Sequence, residues 1–421
     1  MARSVCLVVK NQLWNDARVK KEARSLLSAG YEVTIVAKPE PDEQEEQIWE
    51  GVRVIRVPRD SRLRRRMRTQ VLSTERSAGA SSLLARLISA IRRFPPRLWL
   101  ARKKGLLLFD LRMLRAALRC RADVYHANDL DTLPICRIAS VIRRARLVYA
   151  SHELWLESVR YLRGTSWIGR LWYRSMESLL CPAADLVIAV TRSRGDHMIS
   201  RYPRMKAPLI IVENRPDPIE TLPEPADLEA LAGVPPSATV VLYQGIMAPE
   251  RGLEQLVEAA RIVREHNDDA RFVLVGHSVL GDRLELLAKQ MGVSDRISFL
   301  DPVPSERLME VTVAADIGLV LFQNTCLNHY YSLPNKLYEY MMCGLPVIAS
   351  ELPEISSVLS EAGCGVTVDA SSPRSIADGI LCLCDDPDRR REMGRRGRAS
   401  ALSEHNWSTQ RARLLEAYGE L

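Results

Sequence analysis

Short apolar runs alternate with helix-length amphipathic stretches along both halves of this 421-residue chain. Near its start, residues 5–9 predict a buried strand, residues 17–29 a helix and residues 31–37 a second strand. Strands and helices that alternate in this way build a parallel sheet, because a crossover helix returns the chain to the same edge. The pattern restarts at residues 239–243 and continues almost to the end. The sequence therefore predicts an α/β protein with two doubly wound, Rossmann-like domains.

A proline-rich stretch separates the two halves. Four prolines lie within residues 216–225, and a Pro-Pro pair follows at 235–236. Segments of this kind act as extended spacers between domains. We predict an N-terminal domain over residues 1–215 and a C-terminal domain over 216–404. A last helix within 405–421 is expected to pack back on the N-terminal domain.

The basic charge of the chain is concentrated in one segment. Residues 61–119 hold 16 Lys or Arg against two carboxylates, a net charge of +14, whereas the whole chain carries only +7. Within this segment, residues 82–91 and 106–118 have apolar positions at helical spacing with arginines between them. Such a basic amphipathic insertion fits an anionic membrane surface, and it equally fits a solvated surface helix. No nucleic-acid-binding motif accompanies the charge, so nucleic acid is not an expected partner.

The cysteines and the apolar runs bear on cellular location. Nine cysteines are scattered without the spacing of metal ligands, which predicts reduced thiols in a cytoplasmic protein. The first apolar run is too short for a signal peptide, and no run approaches the roughly 18 apolar residues of a spanning helix. We expect a cytoplasmic protein that can lie peripherally on the inner face of the membrane.

Polar loops follow the predicted strands of the N-terminal half. Parallel sheets bind ligands at the carboxyl ends of their strands. The loop after the first strand holds Asn11, Asp16 and Arg18, and His152 directly follows a strand predicted at 146–150. A histidine on this rim is placed for function, since it does not lie on an apolar face.

Asp129 and Asp131 follow another predicted strand and form an Asp-x-Asp pair. Two carboxylates at this spacing suit a metal ion, but they also suit the N-terminus of a following helix. A helical pattern begins at Leu133. We favour the interpretation in which the two carboxylates cap that helix.

The stretch SLPNKLYEYMMCGLPVIAS predicts a loop, a helix and a buried strand. Pro334 can open the helix and Gly344 can end it. Asn335, Lys336 and Glu339 then lie on one side of the first turn. A helix N-terminus beside a lysine suits phosphate, and a carboxylate one turn on can accept hydrogen bonds from sugar hydroxyls. The alternative is an amphipathic helix whose polar residues are merely solvated.

Several motifs, in their order along the chain, resemble those of glycosyltransferase family 4, whose retaining enzymes have the GT-B fold. The N-terminal half contains Asn15-Asp16-Ala17-Arg18-Val19, His126-Ala127-Asn128-Asp129-Leu130 and Ser151-His152-Glu153-Leu154. The C-terminal half contains Tyr243-Gln244-Gly245, Arg251-Gly252-Leu253 and the PNKLYEY…CGLPVI stretch. The Pro-Asn-Lys form of the last motif is similar to a branch found in polysaccharide and glycoconjugate synthesis. The resemblance covers nearly the whole chain except the basic insertion.

The resemblance implies two Rossmann-like domains facing across a cleft. It implies a retaining hexosyl- or glycosyltransferase that moves a sugar from a nucleotide-diphosphate sugar to a saccharide, lipid-linked or other glycoconjugate acceptor. The implied setting is cell-envelope or polysaccharide biosynthesis. Neither a metal nor another cofactor is implied, so the charge on the leaving diphosphate must be stabilised by cations and backbone N–H groups.

The family's functional residues carry over to matching positions. The catalytic group consists of His152, Arg251 and Lys336. The donor-binding group consists of Gly245, Arg251, Asn335, Lys336 and Glu339, with Glu339 at the position that holds the ribose hydroxyls. The acceptor side, in the N-terminal domain, consists of Asp16, Arg18, His152 and Glu153.

Two positions depart from the family pattern. Ile246 stands where the family often has an arginine after the glycine, and Tyr331 stands where it often has a first glutamate. Two other functions therefore stay open. One is a nucleotide-sugar 2-epimerase of the same architecture, and the other is a non-catalytic partner that recruits another transferase to the membrane.

Overall fold

The structure, a computed structural model, describes residues 3–13, 16–39, 45–58, 96–158, 161 and 164–421. Trp14, Asn15 and the helix predicted at residues 82–91 lie outside these ranges. Two parallel α/β domains follow one another along the chain, as the strand–helix alternation predicts.

The N-terminal sheet has eight strands in the order β3-β4-β2-β1-β5-β6-β7-β8. The strands are β1 Ser4–Gln12, β2 Glu32–Lys38, β3 Glu46–Trp49, β4 Val52–Arg56, β5 Val124–Asn128, β6 Arg146–Ser151, β7 Leu186–Ala189 and β8 Leu209–Ile211. Only the β3–β4 pair is antiparallel. Strand β3 was not predicted, because the acidic composition of residues 39–47 indicates a turn. Strand β1 runs through Gln12, so the loop predicted from residue 10 begins later.

The C-terminal sheet has six parallel strands in the order β11-β10-β9-β12-β13-β14. They are β9 Thr239–Gln244, β10 Ala270–Val275, β11 Ile297–Leu300, β12 Ile317–Val320, β13 Val347–Ser350 and β14 Gly365–Val368. Each was predicted from a short apolar run, at residues 239–243, 271–275, 297–300, 317–321, 347–350 and 365–368, and the bounds differ by one residue at most. The order places the ends of β9 and β12 side by side at the middle of the sheet, which is the usual place for a ligand in such folds.

Helices connect the strands. In the N-terminal half they are α1 Ala17–Ser28, α2 Pro96–Cys120, α3 Leu133–Arg143, α4 Trp167–Leu180 and α5 Arg192–Arg201. The remainder are α6 Leu228–Ala232, α7 Leu253–Arg264, α8 Arg283–Met291, α9 Ser305–Val313, α10 Leu327–Tyr330, α11 Asn335–Cys343, α12 Pro353–Ala362, α13 Pro373–Cys384, α14 Pro387–Ser403 and α15 Trp407–Gly419. Helix α4 has no counterpart among the predicted elements. Across the described part of the chain, every helix is too short or too polar to span a bilayer.

The N-terminal sheet is covered on both faces. Alternate side chains of β1 enter different cores, since successive residues of a strand point to opposite sides. Leu7 packs with α1 and α15, whereas Val8 packs with α2 and α3. The last helix therefore closes one face of the N-terminal sheet, where the Trp407 indole N–H donates to Ser25 Oγ at 3.0 Å.

Helix α11 has the bounds that its end residues predict. Pro334 is its N-cap, and Gly344 ends it in the left-handed conformation with φ 77°. Leu337, Tyr340 and Met341 are fully buried, as their spacing predicts. The opposite side of the first turn carries Lys336 and faces β9.

Candidate functional site

Two glycines bring the ends of β9 and β10 into close contact. Gly245 has φ 118° and Gly276 has φ 144°, a region that residues with a Cβ rarely enter. A Cβ on Gly276 would lie 2.0 Å from the Gly245 carbonyl oxygen. The loop from Gly245 to the start of α7 is therefore fixed close to the neighbouring strand.

Lys336 points at this loop from α11. Its Nζ lies 3.6 Å from the centroid of the Tyr243 ring, and a Cβ on Gly245 would approach Nζ to 3.4 Å. Burial lowers the pKa of Lys336 to about 7, and the positive charge of Arg251 adds to the effect. The protein thus holds an ammonium group where its charge is poorly compensated.

Arg251 supplies a second cation to the same loop. Its guanidinium stacks 3.8 Å from the centroid of Phe322, and its Nη1 has no hydrogen-bond partner among the residues that the structure describes. Burial lowers the pKa of Arg251 from its usual value. A buried guanidinium N–H normally has an acceptor, so this atom is suited to an anionic ligand.

A hydrogen-bond chain fixes the carboxylate of Glu339. The side-chain amide of Gln244 donates to Glu339 Oε2 at 2.5 Å, and the same side chain accepts from Thr312 Oγ1 at 2.8 Å. Burial raises the pKa of Glu339, while the bond from Gln244 opposes that shift. Asn335 is the first residue of the same helix and is half-buried. The predicted donor residues therefore lie together around the ends of β9 and α11.

His152 is held by Asp129. Asp129 Oδ1 accepts the backbone N–H of His152 at 2.9 Å, and Oδ2 lies 3.5 Å from Nδ1 of the imidazole. Burial favours the neutral acid, yet His152 and the charge of Arg18 hold the pKa of Asp129 below its ordinary value. The other ring nitrogen, Nε2, is buried and has no partner within the described part of the chain. The aspartate fixes the imidazole and leaves Nε2 available.

The prediction that Asp129 caps α3 is wrong. The N-cap of α3 is Thr132, and Asp129 has the left-handed φ of 68° that turns its carboxylate toward His152. Backbone strain of this kind is tolerated where surrounding contacts enforce it. The Asp-x-Asp pair was visible in the sequence. Its contact with His152 could not be predicted from it, because His152 follows a different strand, β6.

The remaining acceptor-side residues differ in what they do. Asp16 caps α1, since Oδ1 accepts from Val19 N–H at 3.1 Å and Oδ2 from Asn11 at 2.6 Å. Arg18 is half-buried in the first turn of α1, near enough for its charge to act on Asp129. Glu153 is exposed beside His152. The structure thus groups Arg18, Asp129 and His152, whereas both Asp16 oxygens are engaged locally.

A buried polar cluster behind α1 was not predicted. His126 Nδ1 lies 2.6 Å from the Tyr418 hydroxyl, and His126 Nε2 lies 3.9 Å from Glu22 Oε2. Burial raises the pKa of Glu22 to about 7 and lowers that of His126 to about 3. Because Tyr418 lies 292 residues after His126, no local sequence signal indicates this contact.

Arg194 joins the two halves of the chain beside the site. Its Nη1 donates to the His152 carbonyl at 2.7 Å, and its Nη2 donates to the Asn328 carbonyl at 2.9 Å. Asn328 in turn accepts from the Leu154 backbone N–H at 2.9 Å. The loop that carries His152 is therefore tied to α10 of the C-terminal half.

The arrangement can bind an anion on its C-terminal side and orient a neutral group on its N-terminal side. Lys336 and Arg251 offer two cations to the loop at Gly245, and Glu339 offers a carboxylate acceptor nearby. Across from them, the Nε2 of His152 offers one hydrogen bond. The described residues contain no group of three or more His, Cys, Asp or Glu arranged to hold a metal ion.

Two sequence families match the chain, one in each half. A "Glycosyl transferase 4-like domain" matches residues 16–215, and "Glycosyl transferases group 1" matches residues 231–400. A D-inositol 3-phosphate glycosyltransferase of Nocardia farcinica is 29% identical over 250 residues, which are 58% of this chain and 54% of that protein. The corresponding protein of Corynebacterium glutamicum is 26% identical over 59% of this chain and 60% of its own length. The matched region thus spans little more than half of these relatives.

Solved structures share the fold over the full length. Sucrose-phosphate synthase from Thermosynechococcus elongatus superposes with a TM-score of 0.73 at 19% identity and covers 99% of this chain and 98% of its own. Anabaena HepE in complex with UDP-glucose gives a TM-score of 0.69 at 15% identity and covers 99% and 100%. At these identities the likeness establishes the architecture.

Proposed function

We propose that the protein is a retaining, metal-independent glycosyltransferase of the family 4 type. Models of two glycosyltransferase families match its two halves, and its architecture is that of the GT-B fold. The donor is a nucleotide-diphosphate sugar, and the acceptor is a saccharide, lipid-linked or other glycoconjugate hydroxyl. The enzyme binds its acceptor at the inner face of the membrane and acts in cell-envelope or polysaccharide synthesis. The observation that carries the proposal is the pair of under-compensated cations, Lys336 and Arg251, beside Gly245.

The two cations suit the chemistry of the leaving group. When the bond to the anomeric carbon breaks, the nucleoside diphosphate gains negative charge. Lys336 and Arg251, each stacked on an aromatic ring, would neutralise that charge without having to reorganise. A bound diphosphate would also raise the pKa of Lys336 from about 7, so the lysine would be protonated in the complex.

The carboxylate and the imidazole would orient the two substrates. Glu339, fixed by Gln244, is placed to accept hydrogen bonds from the ribose hydroxyls of the donor. His152, fixed by Asp129, would present Nε2 to the transferred sugar or to the acceptor hydroxyl. Arg18 and Glu153 lie beside it on the acceptor side. Asp16 would support this side by holding the start of α1.

Nucleotide binding tests the donor site directly. Thermal unfolding is measured in EDTA with UDP, GDP, ADP and TDP, and UDP comes first because the related HepE fold was solved with UDP-glucose. One diphosphate should stabilise the protein, by about 2.7 kcal/mol when its concentration is a hundredfold above Kd. The Lys336→Ala variant should lose this stabilisation, whereas Lys289→Ala, an exposed lysine of α8, should keep it. Equal curves for all four nucleotides would contradict the proposal.

Product analysis separates the remaining functions. With donor and acceptor present, a transferase releases nucleoside diphosphate and forms a glycoside with the anomeric configuration of the donor. An epimerase would change the donor sugar without any acceptor. A recruiting partner would do neither, and it would retain its cellular role in the Lys336→Ala variant.

A further inference from the structure

Helix α4 is apolar on its buried side and also on part of its exposed side. Its inner side packs Tyr173, Met176 and Leu180 against the core of the N-terminal domain. Its outer side presents Trp172 at 67% exposure and Leu179 at 74%. A helix on the surface of a water-soluble domain normally has a polar outer side. The outer side of α4 therefore calls for an apolar partner.

Neighbouring helices continue this apolar surface. Helices α2 and α3 are in contact with each other, and α3 also contacts α4. In the described part of the chain, eleven of the seventeen exposed large apolar side chains lie on these three helices. We call them the outer patch: Leu107, Leu108, Leu111, Ile138, Val141, Ile142, Trp167, Ile168, Leu171, Trp172 and Leu179.

The charges within the outer patch are almost all positive. The described side chains of α2, α3 and α4, with the residue that ends α3, include eight arginines: Arg112, Arg115, Arg119, Arg137, Arg143, Arg144, Arg170 and Arg174. The same stretches hold two carboxylates. Asp110 forms an ion pair with Lys10 at 2.8 Å, and Glu177 is buried, where it accepts from the Tyr149 hydroxyl at 2.9 Å. The patch therefore presents apolar side chains among arginines.

We propose that the outer patch docks on the surface of an anionic lipid bilayer, with the outer side of α4 inserted at the level of the headgroups. Charge complementarity favours lipid over a second copy of the chain, because two copies of this surface would oppose arginine to arginine. Tryptophan is suited to the boundary between headgroups and acyl chains, and the two exposed tryptophans among the described side chains, Trp167 and Trp172, lie in the first two turns of α4. Residues 61–95, which precede α2, hold nine arginines against one carboxylate and add attraction to the same lipids.

The outer patch follows the candidate site closely in the chain and contacts the residues that come after His152. Fourteen residues lie between His152 and Trp167, and among those that the structure describes Trp155 packs on Tyr173 of α4 with ring centroids 6.2 Å apart. The Tyr161 hydroxyl donates to the Arg170 carbonyl at 2.6 Å. Resting on the proposed function, this connection would bring a lipid-linked acceptor from the bilayer toward the side of the site that holds His152.

Vesicle binding by the full chain tests the proposal. Flotation is measured with phosphatidylcholine vesicles that contain one third phosphatidylglycerol, and with vesicles of phosphatidylcholine alone. The double variant Trp167→Ser/Trp172→Ser should reduce the partition coefficient on anionic vesicles by roughly tenfold or more. The control Val279→Ser/Leu286→Ser removes apolar side chains of 59% and 55% exposure in the C-terminal domain and should bind as the unmodified chain does. The conservative Trp167→Phe/Trp172→Phe variant should recover most of the binding.

Two further readouts separate the outcomes. Stabilisation by UDP should be unchanged in the Trp→Ser double variant, and vesicle binding should be unchanged in Lys336→Ala. The proposed docking surface and the proposed donor site are therefore tested separately, and either proposal can be contradicted without the other. Equal binding to neutral and anionic vesicles, or equal loss in the control variant, would overturn the proposal. So would a dimer in sedimentation experiments that dissociates in the Trp→Ser variant, because a second copy would then be the partner.

Discussion

On the C-terminal side of the site, Lys336 and Arg251 stack on aromatic rings, and burial lowers the pKa of both. On the N-terminal side, Asp129 holds His152, and Glu22 lies next to His126. The first side leaves positive charge to be compensated by a ligand. The second side pairs Asp129 with His152 and buries Glu22 and His126, whose pKa shifts favour their neutral forms. Mutations on the two sides of the site are therefore expected to have different effects on binding, turnover and stability.

This contrast gives each side a distinct experimental signature. Substitutions on the C-terminal side should remove nucleotide binding and turnover together, because the cations act on the diphosphate itself. Substitutions on the N-terminal side should lower turnover or change the pH dependence of stability, while nucleotide affinity stays the same. The predictions below test that separation, beginning with the largest expected effect.

Removing the ammonium of Lys336 should have the largest effect. In the Lys336→Ala variant, kcat should fall by roughly 10²–10³-fold, because one preorganised charge on the leaving diphosphate is lost. The rate of nucleoside diphosphate release from a nucleotide-sugar donor measures this. The matched control is Lys289→Ala, which should retain the full rate. A variant that loses less than threefold would place the leaving group away from Lys336.

Disconnecting His152 from its carboxylate should have a smaller effect that is confined to turnover. Asp129→Asn keeps an oxygen for the His152 backbone N–H but removes the charge beside Nδ1. We expect kcat to fall by roughly ten- to a hundredfold, since the imidazole is no longer held in one tautomer and orientation. The Kd for UDP, measured by calorimetry, should be unchanged. The control is Asp131→Asn, two positions along the same loop. An equal loss of kcat in that variant would show that Asp129 does not act by orienting His152.

Donor binding should weaken as the pH rises. The pKa of Lys336 is about 7 in the free protein, and a bound diphosphate should raise it. Below pH 7 the lysine is already protonated, so affinity should be constant. Above pH 7 binding must take up a proton, so affinity should fall by up to about tenfold per pH unit. A nucleotide-sugar is the appropriate ligand, because its diphosphate does not titrate in this range.

A charge-neutral variant provides the control for this pH dependence. Lys336→Met should bind more weakly at pH 7, and its affinity should not change between pH 7 and 9. If the affinity of Lys336→Met still falls as the pH rises, another group takes up the proton. The first candidate is Lys21 on the N-terminal side, because burial lowers its pKa to about 8.

The buried cluster on the N-terminal side should affect stability and not binding. Burial raises the pKa of Glu22 to about 7, so the folded state holds its proton where the unfolded state has released it. Between about pH 4.5 and 7 this lowers the free energy of unfolding as the pH rises. His126, with a pKa lowered to about 3, acts in the opposite direction between about pH 3 and 6.5. The two contributions partly cancel in the unmodified protein.

Neutralising Glu22 should therefore expose the contribution of His126. In Glu22→Gln, the free energy of unfolding should rise with pH up to about 6.5. The difference from the unmodified protein should grow to on the order of 2 kcal/mol by pH 7. Urea unfolding across this pH range measures it, with Glu416→Gln, an exposed carboxylate of α15, as the control. Parallel curves for Glu22→Gln and the unmodified protein would show that this carboxyl titrates normally.

The C-terminal side of the site was the more predictable of the two. Lys336 and Glu339 belong to one turn of α11, and Pro334 and Gly344 mark its ends, so local spacing places both side chains. Gly245 follows directly on β9, and its positive φ is a property of the loop itself. Arg251 could be placed in the same loop, but its stacking on Phe322, 71 positions later, could not be predicted.

The N-terminal side of the site and the outer patch were less predictable. The contact of His126 with Tyr418 and the bridge from Arg194 to Asn328 join residues that are more than a hundred positions apart. The sequence of α4 is apolar at enough positions to look like an ordinary buried segment. Only its packing shows that Trp172 and Leu179 lie on the side away from the core.

The sequence by itself determined most of the strands and helices and both ends of α11, because these depend on contacts between residues a few positions apart. The tertiary structure decided which ionisable groups are buried together and which apolar side chains face outward. Burial and proximity across the chain set the pKa values of Glu22 and Lys336 and the orientation of His152. These pKa values and this orientation depend on residues that the fold brings together from distant parts of the chain, so no local sequence pattern predicts them.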